Sequence, residues 1–144
     1  MYLYPLWLRF WHWGNALMFL CLILTGASMH FAGSGGFLLP FDAAVALHNF
    51  AGFALSVFYV GYVIANLLTG HYKHYVPRFQ GLVSRLFRQA QYYAFGIFIG
   101  APHPSHATLD QKFNALQQLT YLNVMVILMP LLVATGWALW YPEA

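Results

Sequence analysis

The chain's 144 residues are 61% hydrophobic and only 6% charged, with a mean hydropathy of +0.61. So little polar surface excludes a soluble domain of this size and makes the chain an integral membrane protein. The net charge of +3 comes from six Lys and Arg against three Asp and Glu, and these basic residues cluster, so they report on membrane orientation and exclude a nucleic-acid partner.

Residues 5–31 form a long apolar run, and at ~1.5 Å per residue about 20 residues cross the hydrocarbon core. This predicts a first transmembrane helix. The run is too long for the core of a cleavable signal peptide, and Trp7, Trp11 and Trp13 stand at its interfacial level, so the segment is retained. "HFAGSGGFLLPFD", with its glycines, Pro40 and Asp42, reads as a short loop ending in a helix cap. A second span covers residues 43–69. After it come Lys73, Arg78, Arg85, Arg88 and Lys112; over residues 78–100, Leu82, Leu86 and Tyr93 alternate with Arg85, Arg88 and Gln89 at helical spacing, which suits a helix lying in the interface. A third span covers residues 116–139, kinked at Pro130 and anchored by Trp137, Trp140 and Tyr141. The fold expected is an all-α membrane bundle of three spans forming one domain, residues 1–144, with no repeat. By the positive-inside rule, Arg9, the N-terminus and the Lys73 to Lys112 segment are cytoplasmic, and the loop near residues 33–42 and the C-terminus are outside.

Seven histidines against six Lys and Arg is an unusual ratio. In this topology His12 sits roughly 7 Å inside the cytoplasmic end of the first span and His48 roughly 7 Å inside the outer end of the second. Their levels differ by on the order of 20 Å along the membrane normal. Imidazole ligates haem iron well, and two levels in one bundle are what a two-haem transmembrane wire requires. Gly14, Ala16, Gly26 and Gly52 accompany them and would let a flat macrocycle approach the backbone. The alternative is that each imidazole bonds a backbone carbonyl of a neighbouring helix. His30, at the outer end of the first span, faces either a haem or solvent. His71 and His74 in the basic segment, and His103 and His106 in "HPSH", are expected to face solvent or headgroups; no carboxylate or thiol stands beside "HPSH" to complete a zinc site. Cys21 is the single cysteine, which excludes a CxxCH attachment for covalent haem.

The third span opens with "KFNALQQLTY", where Asn114, Gln117, Gln118 and Tyr121 recur at helical spacing as one polar stripe. A quinone headgroup, whose carbonyls accept hydrogen bonds, can reach such a stripe from within the bilayer; bridging between helices is the alternative. Asn66, eighteen residues after His48 on the same helix face, lies at a similar depth. The carboxylates Asp42, Asp110 and Glu143 all lie outside the spans, so any catalysis is quinone redox alone.

"RFWHWGNALMFLCLILTG", "ALHNFAGFALSVFYVGYVIANLLTG" and "KFNALQQLTYLNVMVILMPLLVATG" together resemble the membrane cytochrome b subunits of thiosulfate reductase and formate dehydrogenase, over nearly the whole chain. The resemblance implies a four-helix subunit of the prokaryotic cytoplasmic membrane. It would bind two b haems and serve anaerobic respiration by passing electrons between a quinone such as menaquinone and an iron–sulfur subunit attached to a molybdopterin catalytic subunit. His12 matches the ligand of the cytoplasmic-side haem, His48 that of the outer haem, and Asn114 and Gln117 the quinone site. Arg9, His30, Asn66 and Gln118 are further candidate cofactor contacts. Leu116 stands where the formate dehydrogenase pattern has glycine. The family's fourth helix, which supplies the second axial histidine to both haems, has no counterpart before Ala144, so it is expected from a missing segment or another chain. The other expectations are a cytochrome b serving a hydrogenase or another reductase, and a haem-free membrane anchor.

Overall fold

A computed structural model describes residues 4–34, 38–105, 108 and 112–140. His106, Asp110, Tyr141, Glu143 and part of the loop before the second span lie outside the described residues. The elements are α1 (Leu6–His30), α2 (Phe41–Thr69), α3 (Leu82–Ala94), α4 (Ala115–Asn123), a π turn (Val124–Leu128) and α5 (Met129–Trp140), with short 3-10 turns between some of them. No strand occurs among the described residues. Leu6–His30, Phe41–Thr69 and Ala115–Trp140 are each long and apolar enough to cross a membrane, so the chain is an all-α, three-span membrane protein as its sequence predicts.

Local chemistry explains where these helices begin and end. Pro5, whose ring fixes φ near its observed −65°, precedes α1. At α2 the helix opens two residues earlier than the expected 43, with the Pro40 carbonyl accepting from the Ala44 N–H at 2.9 Å. Asp42, expected as a cap, therefore lies within the first turn, where its carboxylate complements the unpaired N–H groups of the helix start. Gly70, at φ 68°, ends α2 in a left-handed conformation that a side chain would oppose. Pro130 has no N–H to offer, and before it the backbone widens: the Met129 N–H bonds the carbonyl of Val124, five residues back. The predicted kink position is thus marked by a π turn.

The described residues divide into two compact units, residues 4–64 with 132–140 and residues 65–131. In the first, Ala44, Ala51, Leu55 and Tyr62 of α2 are all nearly or fully buried. The Trp11 indole N–H donates to the Phe58 carbonyl at 3.0 Å and its ring lies 4.2 Å from that of Tyr62, so Trp11 joins α1 to α2 rather than standing free at an interface. A Cβ on Gly14 would lie 2.5 Å from Phe58 Cε1. The room at Gly14, expected to admit a macrocycle, is filled by Phe58. Leu6, Phe10, Trp13, Leu17 and Leu20 are exposed along α1, as they must be on a helix solvated by lipid.

In the second unit α3 occupies the middle of the expected interfacial segment and is strongly amphipathic, with Val83 and Phe87 exposed on one side. The Arg85 guanidinium donates to the Arg78 carbonyl, which holds the turn before the helix against it.

Gly14→Ala is expected to destabilise the detergent-solubilised protein by about 1–3 kcal/mol, the usual cost of overpacking. Phe58→Leu in the same chain should recover part of that loss, read as the midpoint of thermal unfolding.

Candidate functional site

His48 is the candidate histidine that lines a cavity. It is half-buried on α2, and its Nδ1 lies 2.9 Å from the Thr25 hydroxyl of α1. Thr25 is buried and its Oγ1 also lies 2.7 Å from the Cys21 carbonyl, one turn back on its own helix. Gly26, the next residue on α1, lies beside the same ring: a Cβ there would sit 3.6 Å from His48 Cε1, an ordinary van der Waals contact. Beside the ring opens a cavity of about 470 Å³, within the range of small-molecule sites, between α1, α2 and α5. Gly52, Ser56 and Gly136 give it low walls, and Phe53 and Trp137 give it aromatic ones. Trp137 donates its indole N–H to Ser56 Oγ at 3.3 Å, and Ser56 in turn donates to the Gly52 carbonyl at 2.9 Å. The sequence reading passed over Thr25. Its signal was a hydroxyl inside an apolar span followed at once by glycine.

His12 is exposed on α1 and makes no hydrogen bond among the described residues; its ring meets the edge of Trp13 at 5.7 Å. His30 is exposed at the end of α1, edge-on to Phe31. Arg9 is exposed near the start of the same helix. These residues share the first unit with His48, while Asn66, Asn114, Gln117 and Gln118 belong to the second.

The amides at the start of the third span are engaged within the protein. Asn114 Oδ1 accepts from the Gln117 N–H at 2.8 Å and Gln117 Oε1 accepts from the Asn114 N–H at 3.1 Å, a reciprocal cap of α4. Asn114 Nδ2 donates to the Tyr93 hydroxyl at 3.2 Å, tying α4 to α3. Gln118 is buried and donates to the His74 carbonyl at 2.9 Å. The helical stripe therefore works in large part as the bridging alternative would have it, and the Asn-x-x-Gln spacing was the legible signal for the cap. The side-chain amide N–H group of Gln117, on Nε2, makes no hydrogen bond among the described residues. Asn66 is buried in the same unit.

His71, expected at solvent or headgroups, is instead buried in a turn whose neighbours Tyr75, Phe113 and Tyr121 pack ring against ring. Burial, with the Lys112 charge and His74 adding to it, pushes its pKa down to about 4. His74 and His103 are half-buried. His103 lies 3.4 Å from the Gln89 amide, to whose oxygen Ser105 donates at 3.1 Å.

Residues 3–144 match the family described as prokaryotic cytochrome b561. The chain belongs to that family. It is 42% identical over 143 residues to the Escherichia coli (strain K12) protein named "Putative cytochrome YdhU", covering 99% of this chain and 54% of that one. The chain thus spans about half the length of the curated relative it matches. No solved structure matches it. Membership makes this cytochrome b561 chain a membrane electron-transfer protein and implies b-type haem. The residues around His48 fit such a group. The cavity is apolar and low-walled, the imidazole forms part of its lining, and the ring's other nitrogen is already held by Thr25.

Asn114→Ala removes the cap and the bond to Tyr93 and should cost on the order of 1–2 kcal/mol of stability, whereas Gln117→Glu, which keeps the capping oxygen, should cost much less; thermal unfolding in detergent distinguishes them. His71 adds a pH dependence. Because its folded pKa lies below the unfolded value, the unfolded chain binds the extra proton between about pH 6.5 and 4, so stability should fall as pH drops through that window. His71→Gln should flatten the dependence.

Proposed function

We propose that this chain passes electrons between a membrane quinone, such as menaquinone, and an attached oxidoreductase, with His48 as an axial ligand to one b haem and His12 to a second. Bound haem iron supplies one-electron redox chemistry at each level. The chain's own residues hold and insulate it: His48 offers a ring nitrogen, Gly52 and Gly136 clear the faces of the cavity, and Phe53 and Trp137 exclude water. The observation that carries this reading is the cavity lined by His48, whose Nδ1 is held by Thr25.

Support for His12 is of a different kind. An imidazole exposed within a membrane span is costly unless a partner takes it, and a haem is a partner of the right chemistry. Among the described residues lining the cavity, His48 is the one imidazole, so the second axial ligand is proposed to come from a helix outside these 144 residues, on the same polypeptide or another. At the start of α4, the Gln117 amide N–H group is proposed as the donor to a quinone carbonyl. Asn114 holds that turn in place, and the buried amides Gln118 and Asn66 are proposed as further contacts. Arg9 and the Lys73 to Lys112 segment are proposed to lie on the cytoplasmic side, with an iron–sulfur subunit and a molybdopterin catalytic subunit on the outer side, as the resemblance to thiosulfate reductase and formate dehydrogenase cytochromes suggests.

The purified native complex should give a b-type pyridine haemochrome and a reduced-minus-oxidised b spectrum. His48→Ala should remove one spectral component and His12→Ala a different one. A native complex without haem would leave the membrane-anchor reading in its place.

A further inference from the structure

We infer that Thr25 is a positioning residue for the haem ligand: its hydroxyl fixes the protonated nitrogen of His48 on Nδ1 and so presents the lone pair of Nε2 for iron. The inference rests on the proposal that His48 is an axial ligand.

The direction of the two hydrogen bonds follows from which atoms can donate. Thr25 Oγ1 stands 2.7 Å from the Cys21 carbonyl, the ordinary length of an O–H to carbonyl bond, and a carbonyl only accepts. The hydroxyl proton therefore goes to Cys21, and Oγ1 meets His48 with a lone pair. At 2.9 Å the imidazole must be the donor, so its proton is on Nδ1. With Thr25 only 1% exposed, water does not compete for either bond.

A hydrogen bond from the far nitrogen of a ligating imidazole fixes ring orientation and raises ligand basicity, which favours the ferric state. Removing the acceptor should therefore raise the reduction potential of that haem and loosen its hold.

The test uses the complete complex in native membranes and follows the haem component that His48→Ala removes. Thr25→Val keeps the bulk and loses the acceptor; Thr25→Ser keeps the acceptor and loses a methyl. Thr25→Val should move the potential of that component upward and lower haem retention by about tenfold or more, in line with loss of such partners at other metal centres. Thr25→Ser should keep the wild-type potential. If Thr25→Val does not accumulate, Thr25→Ala replaces it. Wild-type potential and retention in the variant lacking the acceptor would overturn the inference, and so would an equal shift in Thr25→Ser, which would mean packing alone. A haem complement unchanged in His48→Ala would instead sink the ligand assignment on which the inference stands.

Discussion

Inside a bilayer a polar group has no water to turn to, so every hydroxyl, amide and imidazole in the spans must be answered by the protein or by what the protein binds. The hydroxyls of the spans meet this constraint with very local means. Thr25, Ser28, Ser56 and Thr69 each donate to the carbonyl four residues back on their own helix, and Thr135 to the one three back. A hydroxyl anchored in this way keeps its oxygen lone pairs facing outward, ready to accept. Thr25 uses that capacity toward His48 and Ser56 toward Trp137.

This back-bonding makes the His48 side of the first unit more than a gap between helices. Gly26 and Thr25 are neighbours on α1 beside the imidazole, and Thr25 gives the ring an acceptor. Across the cavity, Ser56 and Trp137 bridge α2 and α5. The low-walled space between has a volume of about 470 Å³, and His48 is the imidazole among the described residues that line it. For a cytochrome b561 chain, that combination supports the proposal that these groups take the tasks the cofactor leaves to the protein, which are ligation, orientation and exclusion of water.

The second unit answers the same constraint differently. Here the polar groups are amides and imidazoles near the interface, and they cap and bridge: Asn114 and Gln117 close the first turn of α4, Asn114 reaches Tyr93 on α3, and Gln118 reaches the His74 carbonyl. A quinone site proposed there must work with what these bonds leave over, chiefly the Gln117 amide N–H group. His71 shows the cost of such crowding, since burial beside Lys112 keeps its ring neutral.

The sequence by itself determined the three spans, because the length and polarity of an apolar run are one-dimensional properties that the thickness of the bilayer reads directly. It also determined that histidines sit within them, that α3 is amphipathic and that Pro130 disturbs the third span. The Asn-x-x-Gln cap was legible as well, though the helical stripe pointed first to a ligand. Tertiary structure alone decided the rest. Gly14 and Gly26 look alike in the sequence, yet a Cβ on Gly14 would collide with the ring of Phe58 while one on Gly26 would only touch that of His48, since only the facing helix says what stands opposite a glycine. His71 reads as an interfacial residue until the aromatic rings packed around it are known. The free nitrogen of His48 depends on a threonine twenty-three residues earlier, and hydrogen-bond direction becomes readable only when both helices are in place.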